Sequence, residues 1–200
     1  MRVNLKSAHI LPILDTSLYM CNNALHLATC ISLAISENSK LANRIIAMGN
    51  QPIWIQLPSD ADFVTSATKI RQVITQENTI KDITRCMQLI IQSFLSSNMS
   101  SLEIEKVCLV VLSDMKFGGN EPIHKEIKRM FVQNNIPIMP HIVYWGFNID
   151  ADTRLPCEYN EPRTTLLSGN SFQKFTYLQN MEFSSRRQMT PYDAVWNFTK

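Results

Sequence analysis

The 200-residue sequence has no stretch approaching the roughly 20 continuous apolar residues that a membrane span requires, and MRVNLKSAH at its start lacks the apolar h-region of a signal peptide. A cytoplasmic chain with no membrane partner is expected. Its five cysteines, Cys21, Cys30, Cys86, Cys108 and Cys157, contain no CxxC pair, and their odd number suits reduced thiols better than a complete disulfide framework. His9, His26, His124 and His141 are dispersed and form no zinc motif. There is no GxxxxGK[ST] loop for a nucleotide and no GxGxxG for a dinucleotide. A net charge of +2 supplies no large basic field, so nucleic acid is not supported as a partner. Asn98-Met99-Ser100 and Asn197-Phe198-Thr199 match a glycosylation pattern that matters only in secreted proteins.

What the chain does have is apolar material. Hydrophobic residues make up 45% and charged residues 18%, enough to build one large domain without disulfide or metal staples. Ala8 to Leu14 is a short apolar run closed by Asp15-Thr16-Ser17 and reads as a buried strand, which Pro12 should leave interrupted or imperfect. Asn23 to Ser36 is apolar on most sides, as in a helix packed deep against a sheet. Arg44–Met48 and Ile53–Leu57 are strands whose four-residue connection permits only an antiparallel hairpin. Phe63 to Ile74 and Ile83 to Phe94 show helical spacing, with a break around Gln76 to Thr79.

Val107 to Leu112, closed by Ser113-Asp114, has the continuous branched character of a central parallel strand. A helix over Ile123 to Phe131, a strand over Ile138 to Phe147, a strand over Thr164 to Leu167 and a short helix carrying Phe172, Phe175 and Leu178 complete the pattern. The alternation predicts an α/β fold: a doubly wound, mostly parallel sheet with one antiparallel hairpin strand and helices on both faces. Residues 1–180 would form the domain, and 181–200 a tail with a short helix starting near Pro191.

Ligands of such sheets bind at the carboxyl ends of the strands, where Asp15, Ser17 and Asp114 all fall. Two carboxylates accompanied by hydroxyls suit a hard divalent cation. The ordinary alternative is that both aspartates cap the helices that follow. An enzymatic alternative makes Asp15 a nucleophile or ligand in Mg²⁺-dependent phosphoryl transfer. Ser17 stands where phosphatases of that architecture carry a second acid, leaving no acid/base partner, and a non-catalytic role is expected. A metal-free structural scaffold is the third reading.

Asp15-Thr16-Ser17-Leu18-Tyr19-Met20 resembles the DxSxSM loop of the metal-ion-dependent adhesion site in von Willebrand factor A domains. Asn78-Thr79 falls where that fold supplies a threonine ligand, and Ser113-Asp114-Met115-Lys116-Phe117 resembles its SDMxF segment. Tyr144-Trp145-Gly146-Phe147 and Leu167-Ser168-Gly169-Asn170-Ser171 are similar to the WN strand end and SGxS turn of the Ro-type (TROVE) proteins and a related family of large DNA viruses and plants. The resemblance implies Asp15, Ser17, Thr79 and Asp114 as metal ligands, Mg²⁺ as the cation, and a protein partner whose carboxylate completes the coordination shell. For a viral chain the compartment would be the host cytoplasm. Tyr19 replaces the second serine, Gly146 the usual asparagine, and Leu18 stands where a glycine is usual, so the site is expected to be degenerate. The long helical region that binds RNA in Ro-type proteins has no counterpart in these 200 residues, so RNA binding does not follow from the resemblance.

Overall fold

Continuous branched runs become interior parallel strands because both faces of such a strand are covered, and that is how the apolar segments are used here. The computed structural model describes residues 9–20, 22–41, 43–74, 81–150 and 152–169. Six strands, β1 (His9–Asp15), β2 (Arg44–Met48), β3 (Ile53–Gln56), β4 (Val107–Ser113), β5 (His141–Gly146) and β6 (Thr164–Ser168), form one sheet in the order β3-β2-β1-β4-β5-β6. Every neighbouring pair is parallel except β2 and β3, the antiparallel hairpin. Among the described residues five helices are interleaved: α1 (Asn22–Asn38), α2 (Phe63–Ile74), α3 (Ile83–Ser96), α4 (Ser101–Glu105) and α5 (Ile123–Gln133). The expected α/β architecture is the one observed.

Alternation along each strand divides the core in two. Ile10, Leu14, Cys108, Val110, Leu112, Val143 and Trp145 pack on the face covered by α1 and α2. Leu11, Ile13, Leu109, Val111, Ile142 and Tyr144 pack on the opposite face, where α3 and α5 meet. The free thiols of Cys86, Cys108 and Cys157 are buried in these layers, and burial raises all three above their ordinary range, Cys157 to about 11.

Pro12 does not interrupt β1, which pairs with β4 continuously from His9 to Leu14 in the middle of the sheet. The imperfection lies on one side only. Ile10 sends its N–H to Ser39 Oγ at 2.9 Å, so even-numbered residues of β1 face β2, and the β1–β2 ladder begins only at Ile13. Pro12 sits where no ladder donor is used. β5 starts at His141, later than expected, because Pro140 cannot donate to a ladder. The short α4 was not foreseen. Its capping box pairs the Ser100 side chain with Glu103 N–H and the Glu103 side chain with Ser100 N–H.

Among the described residues no helix is long and apolar enough to cross a membrane. The expected helix at Phe172 to Leu178, the tail 181–200 and Thr79 lie outside the described residues.

Candidate functional site

β1 and β4 are hydrogen-bonded neighbours, so their carboxyl ends bring together Asp15 and Asp114, ninety-nine residues apart in sequence. Both are buried, Asp15 completely. Asp15 Oδ1 accepts the N–H of Ser17 at 2.9 Å, and Asp114 Oδ1 accepts the N–H of Lys116 at 3.0 Å. Each aspartate thus closes the tight turn that follows its own strand. Neither caps a helix, since α1 begins at Asn22 and the N-cap of α5 is Pro122. Ser113 ties the two ends together: its hydroxyl donates to Asp15 Oδ2 at 2.6 Å and lies 3.4 Å from Asp114 Oδ1. The same oxygen accepts the N–H of Met115 at 3.2 Å.

The group that completes this cradle was missed by the sequence reading. Lys81 Nζ lies 3.4 Å from Asp15 Oδ2 and is bonded to Asp114 Oδ1, and its side chain is only 6% exposed. The rings of Tyr19 and Phe117 stand over the ammonium, each centroid 5.7 Å away, within cation–π range. Burial pulls the lysine below its ordinary pKa, while the charge and hydrogen bond of Asp15 pull it back up.

The location is unfavourable for a lysine on local grounds. Asp82 is the N-cap of α3, its side chain accepting the N–H of Arg85 at 3.0 Å, so Lys81 stands immediately before the positive end of a helix. The two aspartates outweigh that dipole. One ammonium against two carboxylates leaves a negative charge over, which the N–H groups of Ser17 and Lys116 and the Ser113 hydroxyl help to disperse.

Of the four residues expected to ligate Mg²⁺, Asp15, Ser17 and Asp114 are brought to one end of the sheet, and Thr79 lies outside the described residues. The Ser17 hydroxyl is buried with no hydrogen-bond partner among the described residues, which is what an unused ligand would look like. The rest of the donor set does not fit a dication. Unit charges 4 Å apart repel by about 4 kcal/mol at an effective dielectric of 20, and a dication beside an ammonium by about twice that. Among the described residues no group of three or more His, Cys, Asp or Glu side chains is arranged to hold a metal. Tyr19, where a serine was to be expected, is 66% exposed and turns its ring to the ammonium.

One further departure, Gly146, sits in a packed position. A Cβ at Gly146 would overlap the Ile149 side chain and lie 3.2 Å from Met115 Cγ, so an asparagine there would require the Ile149 side chain to move aside. Met115 holds a left-handed backbone at φ 63°, uncommon for a long side chain, with its N–H on Ser113 Oγ. The strand end at Trp145 and the turn at Gly169 meet directly: Trp145 Nε1 donates to Gly169 O at 3.0 Å, and Gly169 N–H to Gly146 O at 2.9 Å.

Above the cradle the surface is open. Leu18 is 78% exposed beside Tyr19. A cleft of about 540 Å³ runs along Lys81, Asp82, Phe117, Gly118 and Arg129.

A family model described as "Domain of unknown function (DUF7788)" matches residues 12–195. A search of curated proteins finds no match. Among solved structures, the chain is similar to proximal thread matrix protein 1 from the mussel byssus, with a TM-score of 0.51 at 12% identity, over 86% of this chain and 46% of that one. It is similar to a von Willebrand factor type A structure from Catenulispora acidiphila, with a TM-score of 0.50 at 13% identity, over 86% of this chain and 42% of that one. The Ro (RSR) protein of Deinococcus radiodurans aligns with a TM-score of 0.49 at 13% identity, over 83% of this chain and 32% of that one. The chain thus spans less than half the length of each of these structures. At these identities the likeness is one of fold, and the fold is von Willebrand factor A-like.

Proposed function

We propose that this chain, which belongs to the DUF7788 family of domains of unknown function, is a non-catalytic protein-interaction module that binds its partner at the carboxyl ends of β1 and β4. The observation that carries the reading is the buried Asp15–Lys81–Asp114 cluster lying beneath an exposed rim of Leu18 and Tyr19. A rigid base under exposed apolar side chains suits docking, because little ordering entropy remains to be lost on association. The degenerate adhesion site therefore serves as a contact surface.

A non-catalytic role is supported by the state of Asp15, the candidate nucleophile. One carboxylate oxygen accepts from Ser17 N–H, and the other from Ser113 Oγ with Lys81 alongside. A carboxylate so engaged and buried is a poor nucleophile toward a phosphate ester. Mg²⁺-dependent hydrolysis of a generic phosphate ester that disappears in Asp15→Asn would overturn this part of the reading.

The test of binding is site-specific photo-crosslinking in extract from the native source. A photoreactive residue at Leu18 should give a discrete protein adduct, and one at Leu102, 67% exposed, should not. Adducts at Leu102 alone, or equally at both positions, would remove the rim from consideration. The metal-free scaffold reading has its own support in Ile53 and Trp54, 41% and 36% exposed on the edge strand β3. A self-associating chain whose assembly Ile53→Lys abolishes would favour it.

A further inference from the structure

We infer that Lys81 is a tethered cation that takes the place of the divalent ion, so that the cradle at the ends of β1 and β4 is charge-stabilised without metal. The inference stands on the Lys81 geometry and does not require that the rim bind a partner.

Three observations converge on it. The Lys81 ammonium contacts both aspartates at once, which is the position a bridging cation would need. Its surroundings are built for a cation of this kind: two aromatic faces, Tyr19 and Phe117, stand at equal distance from Nζ, and a ring face attracts an ammonium where a hydroxyl would be needed to ligate Mg²⁺. Tyr19 thus changes from a lost ligand into part of the replacement. Lys81 also stands in front of the N-terminus of α3, against the helix dipole, a placement that local preferences disfavour and the two aspartates explain.

Selectivity follows from the covalent tether. A free cation must lose its water and is held in proportion to its concentration, whereas a side chain on the same fold is present at a fixed and high effective concentration. The Ser17 hydroxyl, which has no hydrogen-bond partner among the described residues, is then a remnant of an oxygen-rich site whose cation is now supplied by the chain itself.

The test uses the full chain and Mn²⁺ or Mg²⁺ alone, at constant ionic strength. The wild-type melting temperature should be unchanged by millimolar divalent ion, and the electron paramagnetic resonance signal of free Mn²⁺ should be unaffected by the protein. Lys81→Ala opens the cradle and should melt lower without metal, then recover by roughly 5 °C or more when Mn²⁺ is added. Adding Asp15→Asn to Lys81→Ala should abolish that recovery. The inference is overturned if the wild type binds Mn²⁺ in a manner that Asp15→Asn removes, or if Lys81→Ala melts like the wild type and ignores Mn²⁺. Should Lys81→Ala fail to fold, the Mn²⁺ signal with wild type and Asp15→Asn still decides between bound and unbound metal.

Discussion

Two lysine–aspartate contacts lie within a few residues of each other at the same end of the sheet, and they differ almost entirely in burial. Lys81 meets Asp15 and Asp114 with side-chain exposures of 6%, 0% and 5%, while Lys116 meets Asp150 at 2.6 Å with exposures of 49% and 51%. The exposed pair has the better-looking electrostatics: hydrogen bonds from Lys116 and Thr153 hold the Asp150 carboxyl down to about 2. Water screens such a pair and competes for both partners, so it contributes little to folding. Water reaches the buried cluster far less, since none of its side chains is more than 6% exposed. Breaking it leaves a charge with nowhere to go, so the ordered placement of Lys81 matters more than any surface contact.

The sharpest way to break the contrast is Lys81→Met, which keeps the apolar stem and removes the charge. It should cost about 3–5 kcal/mol, because two buried carboxylates are left facing each other. Denaturant unfolding measures it, and a cost within the scatter of surface substitutions would show that the cluster is not coupled to folding.

Buried imidazoles extend the contrast to pH. Burial drives His124 down to about 4 despite the nearby Glu161, and His141 down to about 3. Below an unfolded pKa of about 6.5 the unfolded chain therefore binds protons that the folded chain refuses, and stability falls as pH falls. Each group contributes up to ~1.4 kcal/mol per pH unit between 6.5 and its folded value. Melting curves between pH 6.5 and 5 should show the loss, and His141→Gln should reduce it by roughly half, the rest belonging to His124. A melting temperature flat across that window would contradict the burial of both rings.

The smallest effect belongs to the exposed pair. Asp150→Asn should leave the melting temperature within error of wild type, at low salt and high. A loss comparable with that of Lys81→Met would mean that exposure does not separate the two contacts.

The fold was legible because its signals are long and redundant: the unbroken run Val107 to Leu112 and the four-residue link at Gly49 each permit few arrangements. α4 was readable in principle from Ser100 and Glu103 but is too short to show a period. The site was half legible. Asp15, Ser17 and Asp114 lie at or just past strand ends and so were placed by topology, whereas Lys81 belongs to a loop whose path no periodicity reveals. A sign was nevertheless present, since a lysine two residues beyond the expected threonine ligand is a poor neighbour for a dication. Gly146, read from sequence as drift, leaves room that the Ile149 side chain fills, which only three-dimensional packing reveals.

The most direct test of the tethered cluster is a double-mutant cycle with Lys81→Met and Asp114→Asn, read by denaturant unfolding. Removing the ammonium and one carboxylate together should cost less than the sum of the two single losses, with a coupling of about 2 kcal/mol or more. Additivity to within about 0.5 kcal/mol would mean that Lys81 and Asp114 do not act as one unit, and the cluster as described here would be wrong.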